Sequence, residues 1–389
     1  MNNHELKNRK KIAYCIPGLH YPSGMERVLT MKANYLSDIC GYEIHIILTE
    51  GGDKIPYYKL SPHIQIHQLN INFDATYHQP ILQRFISYFF KQLRFRSSLS
   101  KCLYKIKPDI TISLLRRDIN FINKINDGSI KIGEIHFNKS NYRDFTNYHL
   151  PTYIQKIIQQ LWMNQLIRKL KKLKTFIVLS EEDKVCWTEL KNVQVIYNPL
   201  SFYPDTYSSC ERKQVIAVGR YVPQKGFDRL ILAWDIVAKK HKDWTLRIYG
   251  DGMRTELQNM INERNLGETC ILEHTTSNIV EKYIKSSIFV LSSRFEGFGM
   301  VLTEAMACGV PPISFTCPCG PKDIIKNNED GILVENGNIQ ELADKICFLI
   351  ENEDVRKEMG RQARVNVRRF SIEKIGKQWD NLFSNSSQS

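Results

Sequence analysis

Short, largely apolar runs recur along this chain at residues 44–48, 110–114, 175–179, 215–218, 246–249 and 288–291, each closed off by polar or turn-forming positions. Runs so short and densely apolar predict strands buried in a sheet. Segments with helical spacing alternate with them, which argues for parallel sheets covered by helices. At 389 residues the chain exceeds one ordinary core, so two domains are expected. The periodic segments break between Asn198 and Lys213, where Pro199 and Pro204 stand among serines and tyrosines. The expected division is therefore 1–200 and 201–370. A last segment, 371–389, holds one more helix with Ile372, Ile375, Trp379 and Phe383 on a stripe, then a polar tail. Ligands of open α/β sheets collect at strand carboxyl ends, which places the expected active site in a cleft between the domains.

Residues 292–309, SSRFEGFGMVLTEAMACG, directly follow one of these strands. Gly297 and Gly299 interrupt the apolar pattern, and Leu302, Ala305 and Met306 resume it at helical spacing. Strand, tight loop, helix is the predicted order. The first N–H groups of such a helix lack internal acceptors, so the backbone around Phe298, Gly299, Met300 and Val301 is a candidate donor set for an anionic or hydroxyl-rich ligand. Glu296 lies in the loop and Glu304 inside the helix, with seven residues between them. Carboxylates so placed can grip opposite ends of an extended ligand, each accepting hydrogen bonds from the vicinal hydroxyls of a sugar or ribose. A solvated loop glutamate beside a surface helix glutamate would show the same spacing. Upstream, the strand at 215–218 runs into Gly219, Arg220, Lys225 and Gly226. A forked guanidinium and a mobile ammonium at a strand end suit a diphosphate.

Together these two elements resemble the nucleotide-binding half of the retaining glycosyltransferases of family four, glycosyl transferases group 1, of the bacterial surface-polysaccharide type. The family's two glutamates spaced by seven residues are matched by Glu296 and Glu304, followed by AMACGVP at 305–311. Gly219-Arg220 with Lys225-Gly226 matches its diphosphate grip, and YGDG at 249–252, VIYNP at 195–199 and GILV at 331–334 match further. The likeness reaches the front of the chain, where IAYCIPGL at 12–19 is similar to the family's first strand and SGMER at 23–27 to its glycine loop. Ser23 replaces that loop's first glycine, while Gly24 and Glu26 remain.

The resemblance implies an α/β protein of glycosyltransferase B fold: two Rossmann-like domains facing across a cleft. Residues 1–200 would bind the acceptor and 201–370 the nucleotide sugar, with the helix in 371–389 crossing back to the first domain. Catalytic roles would fall to Glu296, Lys225, Arg220 and His136, with Glu296 on the hydroxyls of the transferred sugar and the two cations on the diphosphate. Glu304 would hold the ribose hydroxyls, and Phe298, Gly299, Met300, Val301, Gly219 and Gly24 would complete the donor site. His136, at the end of the run KIGEIH at 131–136, occupies a place where family members often carry a histidine facing the reacting sugar. A structural histidine after an apolar strand would look the same. The implied reaction moves a sugar, with retention, from a UDP- or GDP-sugar to an acceptor hydroxyl. The implied acceptor is a lipid-linked glycan of capsule, exopolysaccharide or lipopolysaccharide synthesis. The protein's main task would be stabilising charge on the departing diphosphate.

Charge adds a second theme. The formal net charge is +13, and residues 75–108 and 145–180 carry seven and six cations respectively without a single acid. In the first segment Ile81, Phe85, Tyr88, Phe89 and Leu93 form a helical stripe, with Arg84, Lys91 and Arg94 elsewhere on the turn. In the second, Ile154, Ile157, Ile158, Leu161 and Trp162 precede the basic run RKLKKLK at 168–174. Such helices suit an anionic membrane surface; two core helices with solvated lysines would read alike. No apolar run of membrane-spanning length is present, and residues 1–11 are polar and basic without a signal-peptide core. The expected location is cytoplasmic, peripheral on the inner face of the cell membrane.

Ten cysteines in that compartment would be reduced. Cys317 and Cys319 form the one close pair, whose spacing does not suit zinc, and Asp251 stands alone between glycines rather than in an Asp-x-Asp motif. No metal site and no cofactor beyond the nucleotide-sugar co-substrate are expected. A nucleotide-sugar epimerase of related fold would share the nucleotide grip, but the basic segments and the loop at 23–27 fit an acceptor-using transferase better. A glycoside hydrolase has no use for Arg220 and Lys225. Nucleic acid is not an expected partner, because the cations flank aliphatic stripes and no nucleic-acid module is apparent.

Overall fold

Each of those apolar runs becomes a strand of a parallel sheet in the computed structural model, which describes residues 9–76, 80–139 and 152–386. The chain forms two units: Met1–Leu179, Lys184–Pro199 and Ile372–Ser389 make the first, and Ser180–Asp183 with Leu200–Ser371 the second.

The first unit begins with β1 (Lys11–Ile16), α1 (Gly24–Asp38), β2 (Glu43–Leu48), β3 (Gln65–Gln68) and the long α2 (Ile81–Ile106). It continues through β4 (Ile110–Ser113), β5 (Ile130–Glu134), α3 (Thr152–Leu170), β6 (Thr175–Val178), α4 (Glu181–Cys186) and β7 (Val193–Val195), with part of α4 counted in the second unit. Its seven strands are ordered β3-β2-β1-β4-β5-β6-β7. All pair in parallel, Ile12 sitting between Ile44 and Ile110. Alternate residues of β1 serve opposite cores: Ile12, Tyr14 and Ile16 pack with Leu29 and Trp379, whereas Ala13 and Cys15 pack with Leu99, Leu170 and Phe176. Covering both faces is what forces a strand to be apolar at every position.

The second unit comprises β8 (Gln214–Val218), α5 (Phe227–Lys240), β9 (Thr245–Tyr249), α6 (Arg254–Glu263), β10 (Cys270–Glu273), α7 (Ile279–Ile284) and β11 (Ile288–Leu291). Then follow α8 (Met300–Ala307), β12 (Pro312–Phe315), α9 (Pro321–Ile324), β13 (Ile332–Val334), α10 (Ile339–Glu351) and α11 (Glu353–Asn366). Six parallel strands are ordered β10-β9-β8-β11-β12-β13 around Trp234, Leu246, Val290 and Ile313.

The last helix, α12 (Ile372–Ser386), returns to the first unit and lies on α1. Contact is close at Gly376, where a Cβ would come within 2.3 Å of the Tyr35 ring, and Tyr42 donates to Asp380 Oδ1 at 2.6 Å.

The stripes named in the two basic helices are largely uncovered, so the core reading does not hold for them. The buried stripe of α2 lies in its second half, at Phe95, Leu99, Leu103 and Ile106, and the expected stripe faces solvent: Phe85 is 71% exposed and Phe89 57%, as is neighbouring Phe90 at 64%. The Ile81 side chain lies outside the described residues. In α3, Leu166, Ile167 and Leu170 are buried while Tyr153, Ile157 and Leu161 are exposed; residues 145–151 of that basic segment lie outside the description. The sheet's position, not the helix's own periodicity, decides which stripe is covered. Among the described residues, no helix is long and apolar enough to cross a membrane.

Candidate functional site

In the second unit the strand order reverses between β8 and β11, which pair in parallel through Val215–Ile288 and Ile216–Phe289. Loops that leave such neighbouring strands in opposite directions open a crevice at their carboxyl ends. Here those loops are residues 219–226 and 292–299, the two elements singled out in the sequence.

Gly226 locks them together. Its φ is +62°, and a Cβ built there would meet the Ser292 carbonyl oxygen at 2.1 Å. Ser292 Oγ donates to the Lys225 carbonyl at 3.0 Å. Arg294 adds a forked pair to Asp228, at 2.8 and 2.6 Å, whose hydrogen bonds hold that carboxyl below its usual range. The consequence is that Lys225 Nζ sits 2.7 Å from Glu296 Oε1, which also accepts from Ser293 Oγ at 2.6 Å. Glu296 is buried, and the Lys225 stem runs past Gly219, where a Cβ would lie 3.2 Å from it. Arg220 stands exposed beside this pair's loop, its guanidinium without a partner among the described residues.

Gly299, at φ +92°, turns the second loop into α8. Met300 and Val301 form the first turn, and Phe298 is buried edge-on against Phe370. Glu304 is buried within α8, accepting from Ser201 Oγ at 2.9 Å and the Tyr283 hydroxyl at 3.4 Å. Two carboxylates thus flank one loop, each held by neutral hydroxyls that the sequence reading missed. Asp251 accepts from Thr275 Oγ1 at 2.6 Å and pairs with His274, bonds that bring it down to about 2. Cys317 and Cys319 are buried, and burial raises the Cys317 thiol well above its ordinary value. Among the described residues no group of three or more histidine, cysteine or acidic side chains is placed to hold a metal.

Gly24 and His136 belong to the first unit, beyond the carboxyl ends of β1 and β5. Gly24 opens α1, and the departure at Ser23 has a local reason: its Oγ accepts from Glu26 N at 3.4 Å while Glu26 Oε2 accepts from Tyr21 N at 2.8 Å. Ser23 thus caps the helix start as in half of a capping box, while Glu26 reaches back past the cap to the Tyr21 N–H. Burial pushes Glu26 up to about 7. His136 Nε2 lies 3.3 Å from Glu134 Oε1.

Known proteins resemble this chain over most of its length. The family model described as Glycosyl transferases group 1 matches residues 207–366. An uncharacterized glycosyltransferase of Haemophilus influenzae is 27% identical over 96% of this chain and 99% of its own. A Campylobacter jejuni protein named as a GalNAc-alpha-(1->4)-GalNAc-alpha-(1->3)-diNAcBac-PP-undecaprenol alpha-1,4-N-acetyl-D-galactosaminyltransferase is 28% identical, over 96% of this chain and 98% of its own. Among solved structures, Anabaena HepE in complex with UDP superposes with a TM-score of 0.74 at 18% identity, covering 96% of this chain and 100% of that one. The chain is a glycosyltransferase with the glycosyltransferase B fold, and its residues 207–366 carry the match to the group 1 family.

Proposed function

We propose that this enzyme transfers a sugar from a UDP- or GDP-sugar, with retention of anomeric configuration, to a hydroxyl of a lipid-linked glycan in bacterial surface-polysaccharide assembly. The observation that carries the reading is the Lys225–Glu296 pair at 2.7 Å, set beside Gly219 and the exposed Arg220 at the head of paired β8 and β11. Arg220 and Lys225 receive the diphosphate, and Glu296 exchanges its lysine contact for the hydroxyls of the transferred sugar. Glu304 takes the ribose hydroxyls, in the place where Ser201 and Tyr283 now donate. No metal is required in this scheme, because two side-chain cations and the start of α8 balance the leaving group's charge. The lipid-linked acceptor is supported by the full-length Campylobacter jejuni relative, whose named acceptor is a polyprenyl diphosphate glycan.

The decisive assay incubates the protein in chelator with UDP- and GDP-sugars, with and without undecaprenyl-diphosphate glycans, reading nucleoside diphosphate release and the product's anomeric configuration by NMR. Release from one donor that requires the lipid glycan and gives a retained anomer supports the proposal. An inverted product, or a strict need for divalent metal, refutes the mechanism; an isomerised sugar nucleotide without acceptor points to an epimerase instead.

The exposed face of α2 favours a cytoplasmic enzyme peripherally attached at the inner membrane face. Phe85, Phe89 and Phe90 stand in solvent among Arg84, Lys91 and Arg94, in a segment free of acids. Aromatic side chains entering the headgroup boundary, with about 1 kcal/mol for each nearby cation, suit an anionic bilayer. Co-sedimentation with phosphatidylglycerol vesicles should fall with added salt and with Phe85→Ser plus Phe89→Ser; no sedimentation at low salt removes this part of the reading.

A further inference from the structure

Beneath His136 the first unit buries a charged cluster. Glu134 ends β5 and is 1% exposed; Lys32, on α1, is equally buried and donates its Nζ to Glu134 Oε2. The ammonium lies 3.9 Å from the centre of the Trp379 ring, on α12, and 5.2 Å from that of Tyr14. The other carboxylate oxygen, Oε1, faces His136 Nε2 at 3.3 Å, a charge contact without regular hydrogen-bond geometry, and that buried nitrogen has no other partner among the described residues. Burial by itself would raise Glu134, but Lys32 and His136 outweigh it and keep the carboxylate ionised. His136 lies in the bend just past β5, two residues beyond Glu134, and its ring comes back against the Glu134 carboxylate.

A buried ion pair is a poor stabiliser, since well-packed apolar residues of similar volume commonly do as well. What it supplies is fixed geometry at a defined atom. One carboxylate here joins a fully buried lysine to an imidazole at the carboxyl end of a central strand, the end where α/β sheets collect ligands. A carboxylate held against Nε2 keeps the proton on that nitrogen and leaves Nδ1 as the acceptor.

We propose that Glu134, clamped by Lys32 beneath Trp379, is a positioning residue that fixes the ring and tautomer of His136, so that Nδ1 is presented to a substrate hydroxyl. The inference rests on the proposed transferase function and on the place that the family resemblance gives His136, facing the reacting sugar. The C-terminal helix thereby becomes a support of the site through Trp379, and Gly376 is what lets that helix approach α1 closely enough.

The test replaces the pair together, Lys32→Met with Glu134→Met, so that no buried charge is orphaned, in parental and His136→Ala backgrounds. Expected are a melting temperature near the parent's, a kcat lower by on the order of 10–100-fold with donor KM within twofold, and no further loss when His136→Ala is already present. Glu134→Gln with Lys32→Met, which keeps an acceptor for Nε2–H, should recover part of kcat. The imidazole nitrogen shifts of His136 should report one Nε2-protonated tautomer in the parent and a mixture in the double-Met variant. Equal losses in both backgrounds, or unchanged nitrogen shifts, overturn the proposal. Full turnover by His136→Ala overturns it too, while leaving the transferase reading intact. A parent silent on every donor would instead sink the proposed function, and the nitrogen shifts, which need no turnover, would still judge the positioning geometry.

Discussion

Gly226→Ala tests whether the two loops of the donor crevice are held by their backbones. The substitution meets two obstacles. Alanine at φ +62° occupies the left-handed region, at a cost of about 1–2 kcal/mol. Its Cβ would also stand 2.1 Å from the Ser292 carbonyl oxygen, where contacts under 3.0 Å essentially never occur. That oxygen belongs to backbone, so one loop must retreat by about an ångström, adding roughly 1–3 kcal/mol as overpacking does. Gly337→Ala is the matched control: it lies in the same unit at φ +89°, but its Cβ would meet nothing nearer than the Arg229 guanidinium at 3.7 Å. For a unit of this size 1 kcal/mol moves the melting temperature by about 2–4 °C, so Gly226→Ala should lose roughly 10 °C and Gly337→Ala about 4 °C. Scanning calorimetry with and without UDP identifies the relevant transition as the one that nucleotide raises. Retreat of the loop also drags Lys225 from Glu296, so UDP affinity measured by titration calorimetry should fall at least tenfold in Gly226→Ala and hold in the control. Equal melting shifts, or parental UDP affinity in Gly226→Ala, would show that the carbonyl contact does not set the loop.

Other outcomes follow from the same geometry. Lys225→Ala and Glu296→Gln should each lower kcat by about 10²-fold, as loss of one preorganised charge contact does; near-parental turnover in steady-state assays removes that residue from the reacting set. Glu304→Ala should raise the donor KM more than it lowers kcat, and Tyr283→Phe, which deletes one hydroxyl donor to Glu304, should do so by a smaller factor. Glu26 gives a pH dependence: its carboxyl is at about 7 in the fold against 4.5 ordinarily, so the folded state binds the proton more tightly. Stability should therefore be complete below pH 4.5 with respect to this group and decline as pH rises through 7. Glu26→Gln, followed by chemical denaturation across that range, should flatten the slope; an unchanged slope assigns it elsewhere.

Much of the fold was legible because parallel strands covered on both faces announce themselves as dense apolar runs, and β11 was found to the residue. The loops after β8 and β11 were legible for a related reason: glycines are compulsory where backbones cross this closely, as at Gly226. The partners of the carboxylates were not. Ser201 reaches Glu304 across 103 residues and Ser293 is an unremarkable loop serine, so neither spacing nor composition marks them. Lys32 and Glu134 were hidden by the general expectation that charged residues lie at the surface. The exposed phenylalanines of α2 show the complementary limit, since a helical stripe says which residues share a side but not whether the sheet covers it.

That α12 belongs to the first unit also orders the protein's assembly during synthesis. The second unit draws almost wholly on one continuous stretch, Leu200–Ser371, and can close its core as soon as that stretch leaves the ribosome. The first unit, although made earlier, must wait for Ile375, Trp379 and Phe383 to complete its packing around Tyr14 and Leu36. At about 5–20 residues per second, that wait lasts on the order of ten to forty seconds. During it Lys32 lacks the Trp379 ring that covers it, and the older half of the nascent chain is the one exposed to chaperones and proteases.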